Sequence, residues 1–251
     1  LHPEDVGHYD FHGYQTGIPT ELSRRLAATG GFLTRDLGNR SIYADPMLAP
    51  TVTLADPSES FSPLRHLAEQ MRLQFIVAGV VRDLQVIDDS HRSIGLEFFV
   101  YDALSGELLG RQLHTQIVSD EQVKPGKRIP FGSRQFFASA YGKAFDELLD
   151  RQVAATRKLL ECRPMLVRVI NAKPDTIQLD AGANTGIRAG DTLTVYRPDG
   201  QGQGFFVDGQ FAQFGWPETT AQVIKVLPAY SVARLENSAK TTTDLTYMMA
   251  W

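Results

Sequence analysis

The sequence predicts an α+β protein of two domains, an α/β sandwich over residues 1–162 and a small all-β barrel over residues 163–251. Apolar residues recur at helical spacing in the first region, and strand-like runs lie between these stretches. Past Pro164 only short β-like segments remain, separated by glycine and aspartate turns, without a convincing amphipathic helix. A length of 251 residues is sufficient for two such domains.

The first helix is predicted from Pro19 onward, because Ile18, Leu22 and Leu26 fall at helical spacing and Gly30 follows as a stop. We expect the strand ahead of this helix to be poorly formed. A polar stretch over residues 45–60 is interpreted as a connecting loop.

A second, shorter helix is predicted after this loop. Ser62 and Pro63 suit its N-cap and first turn. Its buried stripe is expected to consist of Leu64, Leu67, Ala68 and Met71.

Three strands and a long helix are predicted next. The continuous apolar run Phe75–Val81 is typical of a strand covered on both faces, and we interpret it as the central strand. The alternation of Ile94–Val100, the turn Asp102–Gly106 and the alternation of Leu108–Ile117 predict a hairpin. The helical pattern of Ser133–Glu161 has one apolar face, which we expect to pack on the sheet.

The second domain is predicted to be built from short strands. These predicted strands are Met165–Ile170, Thr176–Leu179, Thr192–Tyr196, Ala221–Val226 and Ser231–Leu235.

Composition narrows the classes of function. Hydrophobic residues make up 43% and charged residues 22%, which is typical of a folded globular protein. A formal net charge of −4 provides no general attraction for nucleic acid, so we expect no nucleic-acid partner. No apolar run approaches the length of a membrane span, and no signal peptide is recognisable from Leu1 onward.

Candidate metal and nucleophile residues are weak. His2, His8 and His12 are close in sequence but have no cysteine partner and no ligand spacing, so we interpret them as a solvated tail and expect no metal or cofactor. Cys162 is the only cysteine, and we assign it to the end of a helix entering a core. Asp88 and Asp89 are better explained by a turn than by acid–base catalysis.

The remaining motifs also favour structural roles. Gly182, Gly186 and Gly190 match no phosphate-binding loop and are interpreted as turn residues, with Asp191 bonding local amides. Nucleophile elbows, zinc-protease helices and Cys-x-x-Cys pairs are absent from the sequence. We therefore predict that the protein is not an enzyme.

A glycine-rich segment from Gly200 to Trp216, interpreted as a loop, is the candidate interaction surface. Its large aromatic side chains either fold back on the barrel, dock against another subunit, or stack on sugars such as those of peptidoglycan. The candidate residues are Phe205, Phe206, Phe211, Phe214 and Trp216.

Two stretches resemble known envelope proteins. Phe75 to Gly106, with its Asp-x-x-Ser-Gly turn followed by Glu107-Leu108-Leu109, resembles the amino-terminal domain of the periplasmic translocation protein TolB. Leu179-Asp180-Ala181-Gly182 through Arg197 is similar to the small β-barrel that closes flagellar assembly protein T. In this order, the two stretches resemble the flagellar assembly protein T family.

This resemblance implies a TolB-like α/β domain followed by a small SH3-like barrel. It also implies a non-enzymatic periplasmic protein of the H ring, which surrounds the flagellar basal body and is needed for flagellar assembly. Flagellar ring and basal-body proteins are the implied partners, with stator-associated proteins as further candidates. The alternative is a cell-envelope adaptor that binds a glycan or small ligand through the aromatic segment.

Overall fold

The protein combines helices with antiparallel sheets, which confirms the α+β class. The computed structural model describes residues 11–38, 67–68, 70–71, 73–103, 107–120, 129–161, 163, 165–198, 204–207, 210–236 and 247–250. The chain divides into two compact units, Leu1–Glu161 and Cys162–Trp251.

The described part of the first unit contains a three-stranded antiparallel sheet, a short parallel pair of strands and several helices. In chain order its described elements are β1 (Phe11–His12), α1 (Tyr14–Ala28), β2 (Phe75–Asp83), β3 (His91–Asp102), β4 (Leu108–Ser119), β5 (Ile129–Pro130), α2 (Arg134–Ala138) and α3 (Ala140–Leu160). The sheet order is β2-β3-β4, which confirms the predicted hairpin of β3 and β4.

The first predicted helix is confirmed, although it begins earlier than expected. Helix α1 starts at Tyr14, after Gly13 in the left-handed conformation, and carries Pro19 inside it. The strand ahead of it is only two residues long and pairs in parallel with β5, as the weak strand pattern indicated.

Among the described strands, Phe75–Val81 is not the central strand that we predicted. Among the described strands β2 lies at the edge, and its Gly79 is exposed. Strand β3 is central, and every residue from Arg92 to Tyr101 is buried. An apolar run shows that both faces of a strand tolerate burial, but it does not show which strand has neighbours on both sides.

The sheet of the first unit has a buried cluster on each face. One face packs on α1 and α3, with Ile94, Leu96 and Phe98 of β3 in this core. The other face carries Phe99 and Tyr101 together with Ala68 from the second predicted helix. Of that helix, Leu67, Ala68, Gln70 and Met71 are helical, whereas Ser62, Pro63 and Leu64 lie outside the described residues.

The single long helix predicted over Ser133–Glu161 is two helices, because Ser139 interrupts it. Ser139 has extended backbone angles, donates from Oγ to the carbonyl of Phe136 at 2.7 Å and accepts from the amide of Gly142 at 2.9 Å. A Cβ on Gly142 would lie 1.9 Å from the carbonyl oxygen of Phe136. The serine cap and this close approach explain the break, which apolar periodicity does not reveal.

The second unit is all-β apart from one short 3₁₀ turn in its described part. Its strands are β6 (Met165–Ala172), β7 (Thr176–Leu179), β8 (Thr192–Pro198), β9 (Gly204–Val207), β10 (Gln210–Val226), β11 (Ser231–Leu235) and β12 (Tyr247–Ala250). The sheet order is β11-β7-β6-β12-β8-β10-β9, and a further pairing of β10 with β11 closes it into a ring of six strands.

The turn interpretation of the glycine motif is confirmed. Gly186 and Gly190 have φ of 83° and 97°, a region that favours glycine. The Asp191 carboxylate accepts from the Arg188 amide at 2.8 Å. At Gly182 a Cβ would lie 2.2 Å from the carbonyl oxygen of Leu227, so this glycine is required by a close approach between two chain segments.

Candidate interaction surface

The candidate aromatic segment is a β-hairpin, and its interpretation as a loop is wrong. Phe205 and Phe206 lie in β9, and Phe211, Phe214 and Trp216 lie in β10. Their backbone is described, whereas their side chains lie outside the described part of the structure. Glycines suggested a loop, but aromatic residues have high β propensity, and backbone pairing determines the structure here.

The hairpin continues from the closed ring of strands. Its register pairs Phe211 with Phe206 and Ala212 with Phe205, and only residues 208–209 separate its two strands. Strand β10 then pairs with β8 and β11, so one strand belongs both to the hairpin and to the ring. The hairpin therefore presents its aromatic positions on a backbone anchored in the second unit.

A second surface lies along β4, where three large apolar side chains are exposed. Leu108, Leu113 and Ile117 are 36%, 57% and 67% exposed. The register places Leu108 opposite Tyr101 and Leu113 opposite Glu97. These apolar residues, together with Arg111 and Thr115, are called the β4 row below.

The opposite side of β4 is polar and faces α3. His114 Nε2 lies 3.2 Å from Gln152 Oε1, and the Gln152 amide donates to Thr156 Oγ1 at 3.1 Å. Farther along, Arg151 donates to Gln116 at 3.4 Å. Sequence reasoning missed this arrangement because an apolar row on a strand normally faces the core, whereas here the polar row is turned toward the helix.

A buried carboxylate lies beside the β4 row. Glu97 on β3 is 1% exposed and lies between Arg82 of β2 and Arg111 of β4. Arg82 donates to Glu97 through Nε at 2.6 Å, and Arg111 donates to the other carboxylate oxygen through its own Nε. The Arg111 guanidinium also lies over the Phe99 ring, with Cζ 5.8 Å from the centroid. These contacts hold a cation in a fixed position on the face of an edge strand.

The acidic turn between β2 and β3 shows no catalytic geometry. Asp88 and the Ser90 hydroxyl both contact Nδ1 of His91, at 2.9 Å and 3.1 Å, whereas a proton relay requires the two imidazole nitrogens to face different partners. The Asp88 carboxylate also accepts from the amides of Ser90 and His91. The Ser90 amide, followed by the His91 side chain, lowers the pKa of Asp88 to about 2. This is the carboxylate of a capped turn, as predicted.

The remaining sequence candidates form no metal site in the described part of the chain. His2, His8 and Cys162 lie outside the described residues, and only the backbone of His12 is described. Asp89 is exposed in the turn between β2 and β3. Among the described residues no group of three His, Cys, Asp or Glu side chains could hold a metal. None of the helices described is long and apolar enough to cross a membrane.

One of three comparisons with known proteins, the family-model match, agrees with the flagellar resemblance seen in the sequence. Residues 8–119 match the family model described as flagellar assembly protein T, middle domain, a range that includes α1 and the sheet β2-β3-β4. No curated protein matched the chain. A solved structure, the hypothetical protein CT253 from Chlamydia trachomatis, is similar at 18% identity and a TM-score of 0.37, covering 57% of this chain and 81% of that one.

Proposed function

We propose that this chain, whose residues 8–119 match the middle domain of flagellar assembly protein T, is a non-enzymatic structural protein of the periplasmic H ring around the flagellar basal body. The family match is the observation that carries this proposal, because it links the chain to flagellar assembly. The family is structural rather than enzymatic. The periplasmic location and the ring are our proposal.

The two units fit the architecture proposed for such a component. We assign residues 1–162 to a TolB-like domain, supported by a three-stranded antiparallel sheet with helices packed on it. We assign residues 163–251 to a small SH3-like barrel, supported by the closed order of six strands. Strands that close on themselves leave few free edges, which suits a rigid module for presenting a binding hairpin.

The proposed partners are other flagellar ring and basal-body proteins, with stator-associated proteins as further candidates. The aromatic hairpin and the β4 row are the surfaces proposed to contact them, since aromatic anchors and exposed apolar rows are typical of interfaces.

Purification of basal bodies tests this association. Detergent-extracted basal bodies from cells that produce an epitope-tagged chain are expected to retain it through a sucrose gradient, together with the rod and outer rings. A tagged periplasmic protein of unrelated function serves as the control. Recovery of the chain only in the soluble fractions, with the control, would contradict the proposal.

A second candidate function is an envelope adaptor that binds a glycan. The observation in its favour is the hairpin of β9 and β10, whose backbone carries Phe205, Phe206, Phe211, Phe214 and Trp216 in a short span. Titration with peptidoglycan fragments, followed by tryptophan fluorescence, distinguishes the two functions. Saturable binding that Trp216→Ala abolishes, with retention on basal bodies unchanged, would favour the adaptor.

A further inference from the structure

Within the described part of the chain, the outer edge of β4 is open to another strand. From His91 opposite Ser119 to Val100 opposite Gly110 its pairing with β3 is regular, and the register shifts only beyond that point. No described strand pairs with the other side of β4. A regular edge of this length exposes a series of backbone donors and acceptors to an incoming chain.

This edge has only part of the usual protection against pairing. Natural edge strands are blunted by lysine, proline, charged residues or bulges; β4 carries Arg111 and one register shift near Leu108, but residues 112–119 are regularly paired and contain no lysine, proline or acidic residue. Instead, Leu113 and Ile117 are more than half exposed on one face of the strand. Regular pairing groups beside exposed apolar side chains favour the binding of a further strand at this edge.

Arg111 favours an acidic side chain in any segment that binds this edge. Its side chain is 54% exposed, and its Nε is engaged by the buried carboxylate of Glu97. Its terminal nitrogens donate to no other side chain of the described residues. A guanidinium fixed in this way still offers two parallel donors to a second carboxylate.

From this geometry we propose that β4 binds an extended segment of a partner protein, which adds a fourth strand to the sheet and places an acidic side chain opposite Arg111. The segment carries apolar side chains opposite Leu113 and Ile117, on the same face as the acid. A second copy of β4 does not meet this requirement, because residues 108–119 provide no carboxylate. This proposal deepens the proposed function by assigning one partner contact to a specific strand.

Synthetic peptides test the proposal on the full chain. One fluorescent peptide carries Glu opposite Arg111, Val opposite Leu113 and Ile117, and Thr elsewhere, and it is made in both chain directions. The control peptide has Lys in place of Glu. We expect the Glu peptide in one direction to bind at least about tenfold more tightly, because a charge-assisted hydrogen bond is replaced by repulsion in the control. Binding is also expected to slow amide exchange within residues 108–119.

Variants of the protein locate the contact. Leu113→Lys introduces the charge that natural edges use, and it is expected to weaken the Glu peptide by at least about tenfold. The matched control is Ile170→Lys, since Ile170 lies on β6 of the other unit and is 51% exposed. That variant is expected to bind the peptide like the unmodified protein. Circular dichroism confirms that both variants fold.

Three outcomes would overturn the proposal. Equal affinity for the Glu and Lys peptides, or no binding of either, removes the role of Arg111. Exchange protection confined to the hairpin of β9 and β10 places the contact elsewhere. Self-association in sedimentation that Leu113→Lys abolishes would identify the occupant as a second copy. Retention on basal bodies is a separate measurement. A failure of the strand-binding proposal can therefore be distinguished from a failure of the proposed function.

Discussion

Replacing Gly182 by alanine tests the packing of the motif on which the second unit depends. The φ of Gly182 is −133°, so alanine meets no penalty from the backbone conformation itself. Its new Cβ would lie 2.2 Å from the Leu227 carbonyl oxygen, 2.5 Å from the Tyr230 amide nitrogen and 2.8 Å from the Pro228 carbonyl oxygen. All three are backbone atoms, which no side-chain rotation can move aside.

The expected loss of stability follows from the backbone hydrogen bonds that must break and from the overpacking. The amides of Ala183 and Asn184 donate to the carbonyls of Leu227 and Pro228 at 2.9 Å and 3.1 Å, and separating the segments costs about 1 kcal/mol for each bond. Overpacking adds about 1–3 kcal/mol. We expect Gly182→Ala to reduce the free energy of unfolding by about 3–5 kcal/mol, a large part of the stability of a small domain.

Urea unfolding followed by tryptophan fluorescence measures this loss selectively, because both tryptophans lie in the second unit. Gly190→Ala is the matched control: its added Cβ meets nothing within 4 Å, but its φ of 97° is unfavourable for alanine, which costs about 1–2 kcal/mol. A loss below about 1 kcal/mol for Gly182→Ala would refute the argument from close approach.

Three further predictions concern the first unit. Arg25→Met removes the ion pairs that join α1 to Asp146 and Asp150 of α3, and circular dichroism during urea unfolding should show a loss of about 1–3 kcal/mol; unchanged stability would show that these pairs contribute nothing. Ser139→Ala removes the cap between α2 and α3 and should cost about 0.5–2 kcal/mol in the same assay, whereas a neutral result would contradict the capping role. For Asp88, whose pKa falls from 3.8 to about 2, the stabilisation is present above pH 3.8 and lost as the pH falls toward 2. The stability difference between the parent and Asp88→Asn should therefore shrink over that range, and a difference independent of pH would refute this.

Helix and strand positions were largely predictable where one periodicity dominated. Helix α1 and the hairpin of β3 and β4 follow their apolar patterns. The break at Ser139 was not predictable, because the apolar face continues on both sides while a side-chain cap and a close backbone approach decide the geometry. Strand order was also missed at β2, since pairing between distant segments leaves little trace in local composition.

The two interaction surfaces also depend on tertiary contacts that the local sequence does not reveal. The glycine content suggested a loop, but Phe205 and Trp216 lie in two paired strands, β9 and β10. The aromatic residues of this segment were recognised in the sequence, whereas their strand structure was not. On β4 the apolar row at Leu113 and Ile117 was visible in the sequence, but its direction was not. The direction depends on polar contacts between β4 and α3, such as that of His114 with Gln152, which only the tertiary structure brings together.

Electron microscopy of basal bodies from cells lacking this gene, beside a complemented strain, tests the central claim most directly. The structural role predicts that an outer ring feature around the basal body is lost in the deletion and restored on complementation. Intact basal bodies and normal swimming in the deletion strain would contradict that role and favour the envelope adaptor.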